Sequence, residues 1–370
     1  MLSKSSNITI QLLEPTIFIE PGSNNHNVIR GTINLNLPKT TTISSLSVRF
    51  DGKMETKSYS FEAMENSGSF AQKKALTRQR LVLYPTPEQT DHTRPLVLHA
   101  GLTQYGFEME IPSGLPESID CSDVKVEYSV TAVMNFCTSS FLRVKRRNQN
   151  ECCKEIVRVA RLPCEDIIMG DNVADLVDSH THKSAWMDYQ IIVGKKAVSV
   201  GSELPITFNF RPTSEGVTID RVIVQMLERR DIYRDTTHTN HSVYSINLHK
   251  DNKTLFPIGA LKKYWEGTVL FKVPENKSLV HSTQEYPDFK IGHTLLVSIS
   301  LSVPGTGHYR VQKLVTFQTS IDILDDSIGK MSTLKLPTYD SPPPFDNAQF
   351  VFGEYDRKFS DPPLYADIYA

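Results

Sequence analysis

Apolar and polar residues alternate at every second position over most of this chain. Ile33, Leu35 and Leu37 share one face of an extended segment, and so do Leu46, Val48 and Phe50. Phe107, Met109 and Ile111 follow, then Val124, Val126, Tyr128 and Val130. The second half gives Leu204, Ile206, Phe208 and Phe210, then Val222, Val224 and Met226, then Leu295, Val297, Ile299, Leu301 and Val303. The intervening residues are mostly Thr, Ser, Asn, Lys or Glu, so one face enters a core and the other meets water. Pro and Gly bound the runs, as at Leu37-Pro38, Ile111-Pro112, Phe210-Arg211-Pro212, Val273-Pro274 and Val303-Pro304-Gly305. One short helix is a candidate over 87–99, although Pro95 interrupts it. Many short strands with few helices predict an all-β fold, most simply antiparallel β-sandwiches.

The landmarks recur in the same order. Ile33/Leu35/Leu37, Pro38 and Leu46/Val48/Phe50 correspond to Ile206/Phe208/Phe210, Pro212 and Val222/Val224/Met226. Phe107/Met109/Ile111-Pro112 matches Val269/Phe271/Val273-Pro274, and Val124/Val126/Tyr128 matches Leu295/Val297/Ile299. Two tandem immunoglobulin-like β-sandwiches explain this order. The expected division is a first sandwich over 1–163, a polar linker rich in Asp and His over 164–185, a second sandwich over 186–325 and a tail over 326–370. That tail has six Pro and only six Ile, Leu and Val in 45 residues, with no alternating run. Such a segment buries too little apolar surface to offset the entropy of ordering, so it is expected to be disordered.

Composition narrows the function. The chain has 370 residues, 39% of them hydrophobic, enough for a sizeable core. Forty Lys and Arg against 42 Asp and Glu give a net charge of −2, so no global basic field draws it to nucleic acid. The stretch from Met1 to Ile8 is too polar for a secretory signal, and no run approaches the length of a membrane span. Five cysteines between Cys121 and Cys164 do not form a secreted disulfide framework and fit reduced thiols in the cytosol.

The tail keeps eight aromatic residues among its prolines. Its sharpest motif is Pro362-Pro363-Leu364-Tyr365. Two prolines hold the backbone near polyproline II before binding, so docking orders little. Their rings fit a shallow aromatic groove while Tyr365 reaches a neighbouring pocket, which is how WW domains read Pro-Pro-x-Tyr. Leu336-Pro337-Thr338-Tyr339 is a weaker relative that would add affinity for tandem WW domains through effective concentration. Pro342-Pro343-Pro344-Phe345 is equally stiff but lacks the tyrosine hydroxyl.

The chain resembles the α-arrestin (arrestin-domain-containing) family. The resemblance rests on Gly31-Thr-Ile-Asn-Leu-Asn-Leu-Pro38, Leu46-Ser-Val-Arg-Phe-Asp-Gly52, Tyr105-Gly-Phe-Glu-Met-Glu-Ile-Pro-Ser-Gly-Leu-Pro116 and Val126-Glu-Tyr-Ser-Val-Thr-Ala132. Leu204-Pro-Ile-Thr-Phe208, His293-Thr-Leu-Leu-Val-Ser-Ile299 and the tail motif complete it. It implies two arrestin sandwiches and a tail that recruits a HECT-type ubiquitin ligase through its WW domains. Pro362, Pro363 and Tyr365 would carry that contact, with Leu336, Pro337 and Tyr339 as helpers. It further implies a cytoplasmic adaptor, recruited to plasma membrane and endosomes, that brings the ligase to the cytosolic tails of transporters or receptors for ubiquitination and endocytosis. An alternative within the fold is a signalling or endosomal sorting scaffold, as in ambient-pH signalling. Only one motif is complete where several members carry two.

Two basic stretches are candidates for cargo or anionic lipid: Arg143, Lys145, Arg146 and Arg147, and more weakly Lys73, Lys74, Arg78 and Arg80. Either also suits a solvated segment that keeps an edge strand from pairing. Catalysis has no supported candidate and no cofactor is expected. His180 and His182 with Asp178, joined by His238 and His241, have a metal-ligand spacing that would suit a β-sandwich metallohydrolase. The first three fall in the expected linker, without a rigid frame to fix a first shell. Cys152-Cys153 lacks Cys-x-x-Cys spacing, and Gly305-Thr306-Gly307 reads as a turn.

Overall fold

The structure is a computed structural model that describes residues 7–20, 27–58, 70–86, 95–136, 150–163, 176–233, 239–251, 256–275, 279–305 and 309–332. The alternating runs become strands paired in four sheets. In the first half, β1 (Ile8–Leu12), β3 (Asn27–Leu37) and β7 (Gly101–Ile111) form one sheet in the order β1-β3-β7. The facing sheet runs β2 (Thr16–Ile19), β10 (Asn150–Arg161), β9 (Val124–Phe136), β4 (Thr41–Ser58), β5 (Phe70–Tyr84). Short strands β6 (Leu96–Leu98) and β8 (Ile119–Asp120) pair with β4 and β9.

The second half builds the same object. One sheet runs β11 (Val177–Asp178), β12 (Met187–Val193), β14 (Glu203–Pro212), β19 (Trp265–Lys272), β17 (His249–Lys250). The other runs β13 (Ala197–Ser199), β21 (Arg310–Leu324), β20 (Phe289–Pro304), β15 (Thr218–Tyr233), β16 (Thr239–Asn247), with β18 (Gly259–Ala260) on β15. Strand for strand, β2-β10-β9-β4-β5 maps onto β13-β21-β20-β15-β16, and β1-β3-β7 onto β12-β14-β19. The correspondence extends to direction, because β2 with β10 and β13 with β21 are both parallel pairs. The landmark pairs of the sequence lie on equivalent strands.

Burial follows the alternation. Ile33, Leu35, Leu46, Val48, Phe50, Tyr128 and Val130 are fully buried in the first core, and Leu204, Ile206, Phe208, Phe210, Leu295, Val297 and Ile299 in the second. Val222 is only partly buried, next to a break in register between Thr218 and Arg221. The cores are not wholly separate. Ile232, Phe289 and Ile291 of the second sandwich pack into the first core, with Val280 and Tyr286 beside them.

Three expectations change. The helix candidate over 87–99 is a strand in its described part, Leu96–Leu98 on β4, while 87–94 lie outside the described residues. Pro95 removes an amide donor needed inside a helix but none that a strand beginning after it requires. The linker expected over 164–185 is already sheet by Val177, since β11 pairs with β12 and His182 bridges Tyr189. Over 176–185 the polar composition reflects an exposed edge, not an unpaired backbone, while 164–175 lie outside the described residues. The expected tail over 326–370 opens with a helix, α1 (Asp326–Ser332). Asp325 caps it by accepting the Ser327 N–H at 2.9 Å. Among the described residues no helix is long and apolar enough to cross a membrane.

Candidate interaction surfaces

Charged residues occupy core-phase positions where the two sandwiches meet. On β15, Val224, Met226, Glu228, Arg230 and Ile232 all point inward and all are buried. The face that packs the second core therefore carries an ion pair before it reaches Ile232 and the first core. Glu228 pairs with Arg230. The Arg230 guanidinium also donates to Asp123 at 3.0 Å and to the Ser122 hydroxyl at 2.8 Å, both in the first sandwich. Tyr244 closes the group: its hydroxyl donates to Asp123 at 3.0 Å, and the Arg230 guanidinium lies 4.2 Å from its ring centre.

The other Glu228 oxygen accepts the Val280 N–H at 2.8 Å and lies 3.2 Å from His293 Nε2. Burial works to raise the Glu228 carboxyl, but the His293 and Val280 hydrogen bonds and the Arg230 charge outweigh it and hold it below its ordinary value.

A second group sits at the end of β10. Arg161 lies in phase with Val157 and Val159, donates to Asp322 of the second sandwich at 2.7 Å and stands 3.2 Å from Glu117. Burial raises the Glu117 carboxyl despite that cation. His281 Nε2 donates to the Ser118 carbonyl at 2.9 Å. Arg158 reaches Asp325 at 2.6 Å and also pairs with Asp326. A cleft of about 640 Å³ opens here, lined by Asp120, Arg158, Glu275, His281, Asp325 and Asp326 among others. Chemically this arrangement joins the two sandwiches through Arg161–Asp322 and Arg158–Asp325.

Lys73, Lys74, Arg78 and Arg80 lie on β5, the outer strand of its sheet, and not on a loop. Lys74 is drawn across to Asp288 of the second sandwich at 2.8 Å. His180 and His182 have structural partners. The Asp178 carboxylate accepts the His180 N–H at 2.8 Å, and the His182 ring stacks on Tyr189 with centroids 5.2 Å apart. His241 Nδ1 lies 2.6 Å from Asp231. Among the described residues no group of three or more His, Cys, Asp or Glu is placed to hold a metal ion. Cys121, Cys152 and Cys153 are free thiols. Pro362, Pro363, Tyr365, Leu336, Pro337, Tyr339, Arg143, Lys145, Arg146, Arg147 and His238 lie outside the described residues.

The junction residues are the ones that the sequence reading passed over. Their signal was present: Glu228 and Arg230 interrupt an apolar phase, His293 sits between Ile291 and Leu295, and Arg161 follows Val157 and Val159. A charge in core phase needs a partner. Arg230 and Arg161 each find one in the other sandwich, Asp123 and Asp322, while Glu228 and His293 pair within the second.

Comparison with known proteins gives two family matches. Residues 9–161 match the profile described as the arrestin (or S-antigen) N-terminal domain, and residues 183–321 match the corresponding C-terminal domain. An arrestin domain-containing protein of Schizosaccharomyces pombe is 22% identical over 222 residues, covering 57% of this chain and 34% of the relative. A probable HECT-type ubiquitin ligase-interacting protein, creD, of Aspergillus oryzae is 25% identical over 141 residues, 37% of this chain and 21% of that protein. The chain thus aligns with about a third or less of the length of these relatives.

Proposed function

The chain belongs to the arrestin-domain family, and on that premise we propose that it is an adaptor whose tail captures a HECT-type ubiquitin ligase while its two sandwiches engage a membrane cargo. The observation that carries the reading is Pro362-Pro363-Leu364-Tyr365, a complete WW-binding motif following a pair of arrestin domains. The A. oryzae relative, whose name describes a HECT-type ligase-interacting protein, supports the same partner class. On this reading Leu336, Pro337 and Tyr339 add a second, weaker contact for tandem WW domains. The cargo is the cytosolic tail of a transporter or receptor, and the chain works in the cytoplasm, recruited to plasma membrane and endosomes. Arg143, Lys145, Arg146 and Arg147 are its first candidates for cargo or anionic lipid.

Ligase recruitment and cargo delivery separate experimentally. In a reconstituted reaction, the purified chain is expected to be ubiquitinated by a HECT-type ligase carrying tandem WW domains. Tyr365→Ala should suppress that modification, because it removes the aromatic anchor of the contact. Equal modification of wild type and variant would remove the tail motif from the account.

A further inference from the structure

We propose that the outer edge of β5 is a docking site for an extended acidic segment of another polypeptide, which joins the first sandwich as one more strand. β5 is fifteen residues long and, among the described residues, pairs on one side only, with β4. Among the described residues, positions 71–83 make no backbone hydrogen bond beyond that pairing. A row of outward amides and carbonyls is therefore left for a further strand.

The charge on this edge has one sign. From Phe70 to Tyr84 the strand carries Lys73, Lys74, Arg78 and Arg80 and no acid. A bulge, where register shifts between Gly52 and Lys53, resets the alternation. It puts Lys73 and Ala75 on the same face as Arg78 and Arg80, opposite Glu55, Lys53, Asp51 and Arg49. The local carboxylates are already engaged, Glu55 by Lys73 at 3.7 Å. Asp51 accepts from both Arg49 and Arg78, and Glu127 serves both Lys125 and Lys154. Arg80 and Lys53 have no carboxylate partner among the described residues.

Arg49 and Arg80 stand directly opposite each other across the strands, a like-charge pairing that disfavours the sheet by itself. Charged side chains and a bulge also blunt an edge against aggregation. The surplus of cations, with this repulsion retained, is what an acidic partner would offset. A depression of about 400 Å³ over β9, β4 and β5, lined by Lys53, Lys73, Arg78 and Lys125 with Asp51, Glu55 and Glu127, offers its side chains a seat. Backbone pairing supplies affinity and tolerates varied sequence, while the cations select acidic partners.

The proposal rests on the adaptor reading only in taking cargo as the source of the segment. The probe is a fluorescein-labelled decapeptide of alternating Glu and Thr, added to the full-length chain. Binding that weakens as salt rises, with slowed hydrogen exchange at amides in 71–82, is the expected result. A Lys53→Gln/Arg80→Gln variant, at the two cations without a carboxylate partner, should bind at least about tenfold more weakly with no loss of melting temperature. The same peptide N-methylated at alternate residues should lose binding although its charge is intact. Tyr365→Ala should bind it as wild type does, so the tail motif and the edge fail or succeed separately. Equal binding of the N-methylated peptide without added protection on β5 would overturn the proposal. Capture by phosphatidylserine vesicles without capture of the peptide would do the same.

Discussion

The Arg230 guanidinium of the second sandwich donates to the Asp123 carboxylate of the first at 3.0 Å, with both side chains less than 5% exposed. Two arrestin domains are thus fastened through charges withdrawn from water, beside an apolar seam of Ile232, Phe289 and Ile291. Arg230→Met is expected to cost about 3–5 kcal/mol, because it removes the buried cation that both Glu228 and Asp123 face. The midpoint of guanidinium unfolding checks this. A loss under 1 kcal/mol would show the junction to be wetter than its geometry.

Glu228 gives that junction a pH signature. Its carboxyl is held below the ordinary value of 4.5, so the ionised form contributes stability that is present above pH 4.5. As pH falls through the lower, folded-state value, that contribution disappears. The stability difference between wild type and Glu228→Gln should therefore be full at neutral pH and close in acid below 4.5. Melting temperatures of both proteins across pH 3–7 measure it, and a gap that widens toward acid would reverse the sign.

Gly52 tests the packing of the first core. A Cβ built there would come within 2.6 Å of the Tyr128 ring. That ring cannot retreat, since its hydroxyl donates to the buried Pro116 carbonyl at 2.7 Å and its face stacks on Phe50. Gly52→Ala should lower stability by about 1–3 kcal/mol through overpacking, read in a thermal melt. A neutral result would mean that β4 shifts at its bulge to make room.

Much of this architecture was legible in the alternation of residues. Ile33/Leu35/Leu37 and Ile206/Phe208/Phe210 locate equivalent strands, because a period of two has one buried solution in a sheet with one wet face. The pairing that puts β2 beside β10 was not legible. Thr16–Ile19 is four residues long, and its partner lies far along the chain. The 177–184 stretch and α1 escaped for a similar reason. A two-residue strand and a seven-residue helix leave too short a pattern, and what fixes them is partner backbone and the Asp325 cap. At the junction, Glu228, Arg230 and His293 broke the apolar phase in plain view, but a phase break names no partner. Asp123 pairs with Arg230 from more than a hundred residues away, and only the fold brings them together.

The adaptor account turns on capture of the tail by a ligase. Calorimetric titration of tandem WW domains from a HECT-type ligase into the intact chain measures it most directly. The account predicts one saturable interaction, weakened at least about tenfold by Tyr365→Ala and a few-fold by Tyr339→Ala. Undiminished affinity in the Tyr365→Ala chain, or no binding by the wild type, would contradict it.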